Sequence, residues 1–275
     1  MAVIEASLGP LHRADGSATY SHAGYSVICA VNGPIEVQRR DEIPDEAAIE
    51  VNVRPAVGVG GPKERHLETL IHSTLRHLIL IHLHPRTLIQ ITLQILTLPE
   101  SESDLPPSSH THLIPPLLNA SSIALLHAAI PLSTTLTSTI VCLPHSKSSD
   151  PVKASSSTAP ITDPSPAQLK SSRSSHVFAF ASNGDVVLAE SEGVFTIDEF
   201  ERAGEVARGI CLGEAMVGKD GDVEMEGEEE GGVRLGGDGG EQRTNGVGEG
   251  KEGVMGLLEG AVGVKVREGE RWRGR

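Results

Sequence analysis

The chain has 275 residues, carries 37 acidic against 23 basic side chains for a formal charge of −14, and is only 3 % aromatic. That length suits one large domain or two small ones, and polar tracts reduce the foldable part to about one; no apolar run reaches the roughly 18 residues of a membrane helix, and no charged-then-apolar leader opens the chain. Three widely spaced cysteines, Cys29, Cys142 and Cys211, suit neither a disulfide framework nor a zinc ribbon, so a soluble protein of a reducing, intracellular setting is expected.

In chain order, Cys29-Ala30-Val31 is a β-leaning run, Asn32-Gly33-Pro34 reads as a tight turn and Ile35-Glu36-Val37 alternates back, which predicts a hairpin. An acidic loop (Asp41, Glu42, Asp45, Glu46) leads to a second alternating strand, Ala48 to Val53. Glycines from Gly58 to Gly61 give way to Pro62, whose missing N–H is harmless at the first position of a helix. From Pro62 to His82, the residues Leu67, Leu70, Ile71, Thr74, Leu75, Leu78 and Ile79 recur at spacings of three and four, the stripe of a helix packed on a sheet, with Pro85 as its stop. Residues 88–98 then read as a buried strand.

Ser101 to His112 is polar and aperiodic, an expected exposed loop. Pro116 to Ile130 is dense in small and apolar residues, a buried helix closed by Pro131, and Leu136 to Leu143 is a core strand. Residues 144–175 are mostly Ser, Pro and Thr, which bury too little apolar area to offset a chain entropy of about 1 to 2 kcal/mol per residue, so a disordered insertion is predicted. Order resumes at His176 to Phe180, turns at Asn183-Gly184 and returns through Asp185 to Ala189 as a second hairpin. Thr196 with Glu199 forms a capping box for a helix whose buried stripe is Phe200, Ala203, Val206, Ala207, Ile210 and Cys211.

Beyond Gly218 glycine and acid dominate. Residues 219–250 hold ten acids against three bases, half of the net charge, so the body can still present a basic face at ordinary salt, where exposed charges are screened beyond about 10 Å. The expected organisation is one domain over residues 1–217, with the insertion at about 144–175, followed by an acidic, glycine-rich, mostly disordered tail over 218–275. Within that tail Val254 to Val266 leaves room for a short amphipathic piece. Two halves, each of paired strands followed by a helix, imply an α+β sandwich with sheet on one side and helices on the other.

One ordered set of segments is more specific. Gly33-Pro34-Ile35-Glu36-Val37, the acidic loop, Ile49-Glu50-Val51-Asn52-Val53-Arg54-Pro55 through Gly61-Pro62-Lys63-Glu64-Arg65, a long helix, Pro85-Arg86-Thr87 and the strand Ile89 to Leu96 together resemble the RNase PH family. Within that family the likeness is to the small ring subunits of the eukaryotic RNA exosome. Asp15-Gly16-Ser17-Ala18, Asn119-Ala120 to Pro131 and Asp163 to Ala215 fit the same pattern, and coverage is roughly residues 10–145 and 160–217. The resemblance implies the RNase PH-like βαβα fold, related to the second domain of ribosomal protein S5, with a mixed sheet packed against helices. It also implies partners, namely other RNase PH-like ring subunits, cap subunits and RNA, and work in the nucleus, nucleolus included, and in the cytoplasm.

Active relatives attack RNA from its 3′ end with phosphate, which requires an anion site and carboxylates. The family's Gly-Gly-Thr-Arg-like turn opens the second helix, where backbone N–H groups, the positive helix end and a guanidinium converge. The matching positions here are Ser109-His110-Thr111-His112-Leu113, so Leu113 stands where the guanidinium would be and the phosphate site reads as degenerate. Of the paired catalytic carboxylates, only Asp163 offers itself, with Asp150 farther up the polar tract. No catalytic residue is therefore assigned, and a non-catalytic scaffold role is expected.

Lys63 matches a position that faces RNA in active relatives, and Arg65, Arg54 and Arg86 join it as candidate phosphate contacts without base readout. The plain alternative is that Arg54 and Arg86 tie loops or subunit edges while Lys63 and Arg65 form a solvated first turn. Histidines 66, 72, 77, 82 and 84 and the pair His110 and His112 lack the spacing of a metal ligand set, and Gly58, Gly60 and Gly61 lack the fingerprint of a dinucleotide site, so neither a metal nor a cofactor is expected. Two other readings stay open: a phosphate-dependent 3′–5′ exoribonuclease and a stand-alone RNA-binding protein.

Overall fold

The computed structural model describes residues 4–40, 42–99, 110–144 and 159–213, together with 254–256, 260 and 263. In the first half, β1 (Glu5–Leu8), β2 (Gly16–His22), β3 (Tyr25–Glu36), β4 (Ala48–Arg54) and β5 (Thr87–Thr97) form a five-stranded sheet in the order β1-β2-β3-β5-β4. Helix α1 (Pro62–Leu78) joins β4 to β5, which run parallel, as a crossover helix allows; the other neighbours are antiparallel. The helix starts as its sequence dictates, with Gly61 as N-cap, Pro62 in the first turn, and the Gly61 N–H donating to Glu64 Oε2 at 2.6 Å. Its buried face is Leu67, Leu70, Ile71, Thr74, Leu75 and Leu78. It ends one turn before the expected stop: Ile79 turns extended and bridges to Leu132 ahead of Pro85.

The predicted hairpin at Asn32-Gly33-Pro34 is a correction. β3 runs straight through these residues, and its register against β5 moves from Asn32 opposite Gln90 to Ile35 opposite Leu88, one extra residue on β3. The segment is a β-bulge. Gly33 sits at φ 150° with a would-be Cβ only 2.9 Å from the Leu88 carbonyl oxygen, and its N–H donates to Asp15 Oδ2 at 2.9 Å. The actual turn lies earlier, at Ala23 (φ 51°) and Gly24 (φ 87°), two left-handed residues that connect β2 to β3 with the twist of adjacent strands.

The second half contributes α2 (Ile114–His127), β6 (Leu136–Pro144), β7 (Ile161–Thr162), α3 (Pro166–Ser171), β8 (Ser172–Ala181), β9 (Val186–Gly193) and α4 (Ile197–Leu212), with a second sheet in the order β7-β6-β8-β9. The expected insertion to residue 175 shortens accordingly. Residues 145–158 lie outside the described residues, but Ile161-Thr162 pairs with β6 and Ser165 caps α3 through Gln168. Local pairing and capping outweigh the polar composition there.

The α+β class holds, and the layering differs from sheet on one side and helices on the other. α2 packs on β2 and β3 of the first sheet and on β6 of the second, and all its residues from Ile114 to Leu125 are buried. α4 covers the opposite face of the second sheet over β6 and β8. β8 is therefore enclosed on both sides: Val177 and Ala179 join the main core, whereas Phe178 and Phe180 join Val141, Ala203, Ala207 and Cys211 under α4. A strand covered twice loses its polar alternation, which explains the unbroken apolar run. At the start of α4, Glu199 accepts from the Thr196 N–H at 2.8 Å and pairs with Arg173. Burial alone would raise the Glu199 carboxyl, but those hydrogen bonds and the guanidinium prevail and hold it below its ordinary range. All three cysteines are free and buried, and desolvation pushes Cys29 and Cys211 up to about 12 and Cys142 to about 11.

Candidate functional site

Three of the four candidate cations gather at one end of the first sheet. Arg54 closes β4, the neighbouring Val53 N–H donates to Glu68 Oε1 on α1 at 3.0 Å, and Lys63 and Arg65 lie in the first turn of that helix. Arg54 and Arg65 are exposed, and Lys63 is half-buried. The two acids of the first two turns of α1 are already engaged. Glu64 caps Gly61, and Glu68 holds Val53 and stands 3.7 Å from Arg65 Nη1. Arg65 nevertheless keeps 84 % of its side chain in solvent, so this pair neutralises little.

Arg86 does not join them. It precedes β5, whose Leu88 pairs with Ala48 while Gln94 pairs with Arg54, so Arg86 lies at the opposite end of the sheet, about 20 Å away along the strand. There it adopts φ 62°, donates its N–H to the Ile43 carbonyl at 3.2 Å and places Nε 3.4 Å from Glu42. With Arg76, which reaches Glu46 at 2.6 Å, it fastens the acidic loop to the body.

The segment that leads into α2, on which Leu113 marks the expected degenerate phosphate site, touches α1 next to its basic first turn. His110, just before the 3-10 turn Thr111–Leu113, meets His66 of α1 edge-on, with ring centroids 4.5 Å apart. The expected exposed loop therefore ends before its last residues: residues 100–109, Ser109 among them, lie outside the described residues, while Thr111 and His112 are buried. Leu113 is 3 % exposed and packs in the main core, the reverse of a side chain reaching for an anion. Thr111 Oγ1 lies 3.3 Å from Ser175 Oγ and 3.5 Å from Glu192 Oε2.

α2 adds a second impediment. Its first turn is Ile114-Pro115-Pro116, and two prolines remove two of the N–H groups that a helix start would offer an anion. That signal was open to a reading of the sequence; the Glu192 carboxylate and the His66–His110 contact were not, because each joins residues far apart in the chain. Asp163, at φ 51°, lies 3.7 Å from His22 Nε2. Asp150 falls outside the described residues. Among the described residues no group of three or more His, Cys, Asp and Glu side chains is arranged to hold a metal, and no helix is long and apolar enough to cross a membrane.

Comparisons with known proteins place the chain by family. Residues 3–131 match the RNase PH model described as "3' exoribonuclease family, domain 1". The exosome complex component RRP46 of Saccharomyces cerevisiae is 35 % identical over 214 residues, which cover 76 % of this chain and 90 % of that protein. Its counterpart from Schizosaccharomyces pombe is 38 % identical over 125 residues, 46 % of this chain and 51 % of the relative. The crystal structure of rice (Oryza sativa) Rrp46 superposes with a TM-score of 0.61 at 25 % identity, covering 75 % of this chain and 87 % of the rice one.

Proposed function

The chain belongs to the RNase PH family, and from that premise we propose that it is a structural ring subunit of an RNA exosome, taking part in RNA processing and degradation, rRNA processing included, without performing phosphorolysis itself. The observation that carries the non-catalytic half is the start of α2. A phosphate ion arriving there would meet a buried Leu113, two prolines without N–H groups and the Glu192 carboxylate beside Thr111. Without a fixed donor set, the developing negative charge of a phosphoryl transition state has nothing to stabilise it.

Surface features support the assembled state. Among the described residues β9 is hydrogen-bonded on one side only, and Val194 (75 % exposed) and Ile197 (68 %) stand beside its end. An open strand edge with aliphatic neighbours suits cover by a neighbouring subunit. In the ring, Arg54, Lys63 and Arg65 would meet RNA through phosphates, while Arg86 secures the acidic loop. The role would be exercised in the nucleus, nucleolus included, and in the cytoplasm.

The purified chain, incubated with RNA and inorganic phosphate, is expected to release no nucleoside diphosphate above a blank. Phosphate-dependent release by the isolated chain would establish the exoribonuclease reading instead. Tagged chain purified from cells should bring RNase PH-like ring and cap subunits with it, and recovery as a lone monomer would favour the stand-alone RNA binder.

A further inference from the structure

We propose that residues 254–256 are a reversible intramolecular clasp that docks where Thr135 leads into β6. The segment is helical at Val254, Met255 and Gly256, and both side chains are sequestered: Val254 and Met255 are each 8 % exposed. Val254 belongs to the main apolar core, and Thr135 Oγ1 donates to Met255 Sδ at 3.3 Å. The receiving surface lies at the end of the second sheet: Ser182 N–H donates to the Thr135 carbonyl at 2.9 Å, and Leu136, the next residue, pairs with Ala181.

The occupant is the chain's own distal segment. α4 ends at Leu212, where Gly213 adopts φ 72° and turns the backbone out of the helix, and residues 214–253 separate that exit from the docked valine. The sequence of the segment, Val254-Met255-Gly256-Leu257-Leu258, is apolar and follows a polar, acidic tract. Burial of two side chains favours docking, closing so long a connection opposes it, and the two effects are of similar size. The contact is thereby reversible and depends on the high effective concentration that the tether provides. A consequence is that the acidic stretch 219–250 links two points of attachment on the body, where the sequence alone suggested a tail leaving from one.

A protease recognition sequence placed between Gly239 and Gly240 of the full chain tests this directly. After cleavage removes the tether, the distal fragment is expected to elute apart from the body in gel filtration, and the Ser182 amide to exchange roughly tenfold faster than in the uncut chain. In the uncut chain, Met255→Glu should speed hydrogen exchange of the Ser182 amide by roughly tenfold while the amides of β2 keep their protection. Co-elution of the cut fragment with the body, or unchanged exchange at Ser182 after cleavage or in Met255→Glu, would overturn the proposal.

Discussion

Asn119 on α2 joins three layers with one side chain. Its Nδ2 donates to Tyr20 Oη at 3.2 Å and to the Ser138 carbonyl at 3.0 Å, and its Oδ1 accepts the Ser138 N–H at 2.9 Å, so β2 of one sheet and β6 of the other are tied to the helix between them. Asn119→Leu leaves that N–H and the tyrosine hydroxyl buried without partners, and denaturant unfolding should register a loss of about 2 to 4 kcal/mol. In the sequence Asn119 served only to align a segment; its bonding needed two residues from distant strands. His176 is a second case. It is wholly buried, its ring nitrogens lie 2.8 Å from Ser191 Oγ and 3.0 Å from Ser174 Oγ, and desolvation outweighs the nearby Glu199 to bring it down to about 4. Below the ordinary imidazole range near 6.5 the unfolded chain binds a proton that the folded chain refuses. Stability should therefore fall by about 1.4 kcal/mol per pH unit from roughly pH 6.5 towards pH 4. His176→Gln should flatten that slope in unfolding measured at pH 7 and pH 5, and an unaltered slope would show that another group carries it.

At the scale of elements, spacing located α1 and α4, because burial on one face writes itself into periodicity, whereas α2, buried all round, was legible only as a dense run of small and apolar residues. Local reading failed where a backbone irregularity mimics a turn. Asn32-Gly33-Pro34 has the composition of a hairpin loop, yet pairing with β5 continues on both sides of it, which only the register reveals. Gly16 shows the opposite situation, an ordinary glycine whose necessity is tertiary. β2 crosses α2 so closely there that an added Cβ would lie 2.4 Å from Ala128 Cβ and 2.5 Å from the Ala124 carbonyl oxygen. Gly16→Ala should destabilise the domain by about 1 to 3 kcal/mol in thermal or denaturant unfolding. The start of α2 yields an element-level prediction too. Leu113→Arg alone should not create phosphate binding detectable by calorimetry, because Pro115 and Pro116 still withhold their N–H groups and the new guanidinium would start from a buried position.

For the whole molecule, the charge of −14 says little about the face that would meet RNA, since ten acids lie between residues 219 and 250 while Arg54, Lys63 and Arg65 cluster on the body. In the assembled particle, Lys63→Ala with Arg65→Ala should weaken RNA retention and lower the slope of log affinity against log salt by about one to two, with ring assembly intact. Arg86→Ala should instead loosen the acidic loop and leave RNA retention unchanged, a contrast that filter binding across a salt series resolves. The sequence by itself determined the class of fold, the places of α1, α2 and α4 and the family, because these depend on local composition and periodicity and on which residue occupies a position. The tertiary structure alone decided that α2 is held between two sheets, that Arg86 stands apart from the other cations, that Glu192 and His66 approach the start of α2, and that Val254 and Met255 return to the core. Each of those is a contact between residues far apart in the chain, fixed by the joint packing of both sheets rather than by any local run of side chains.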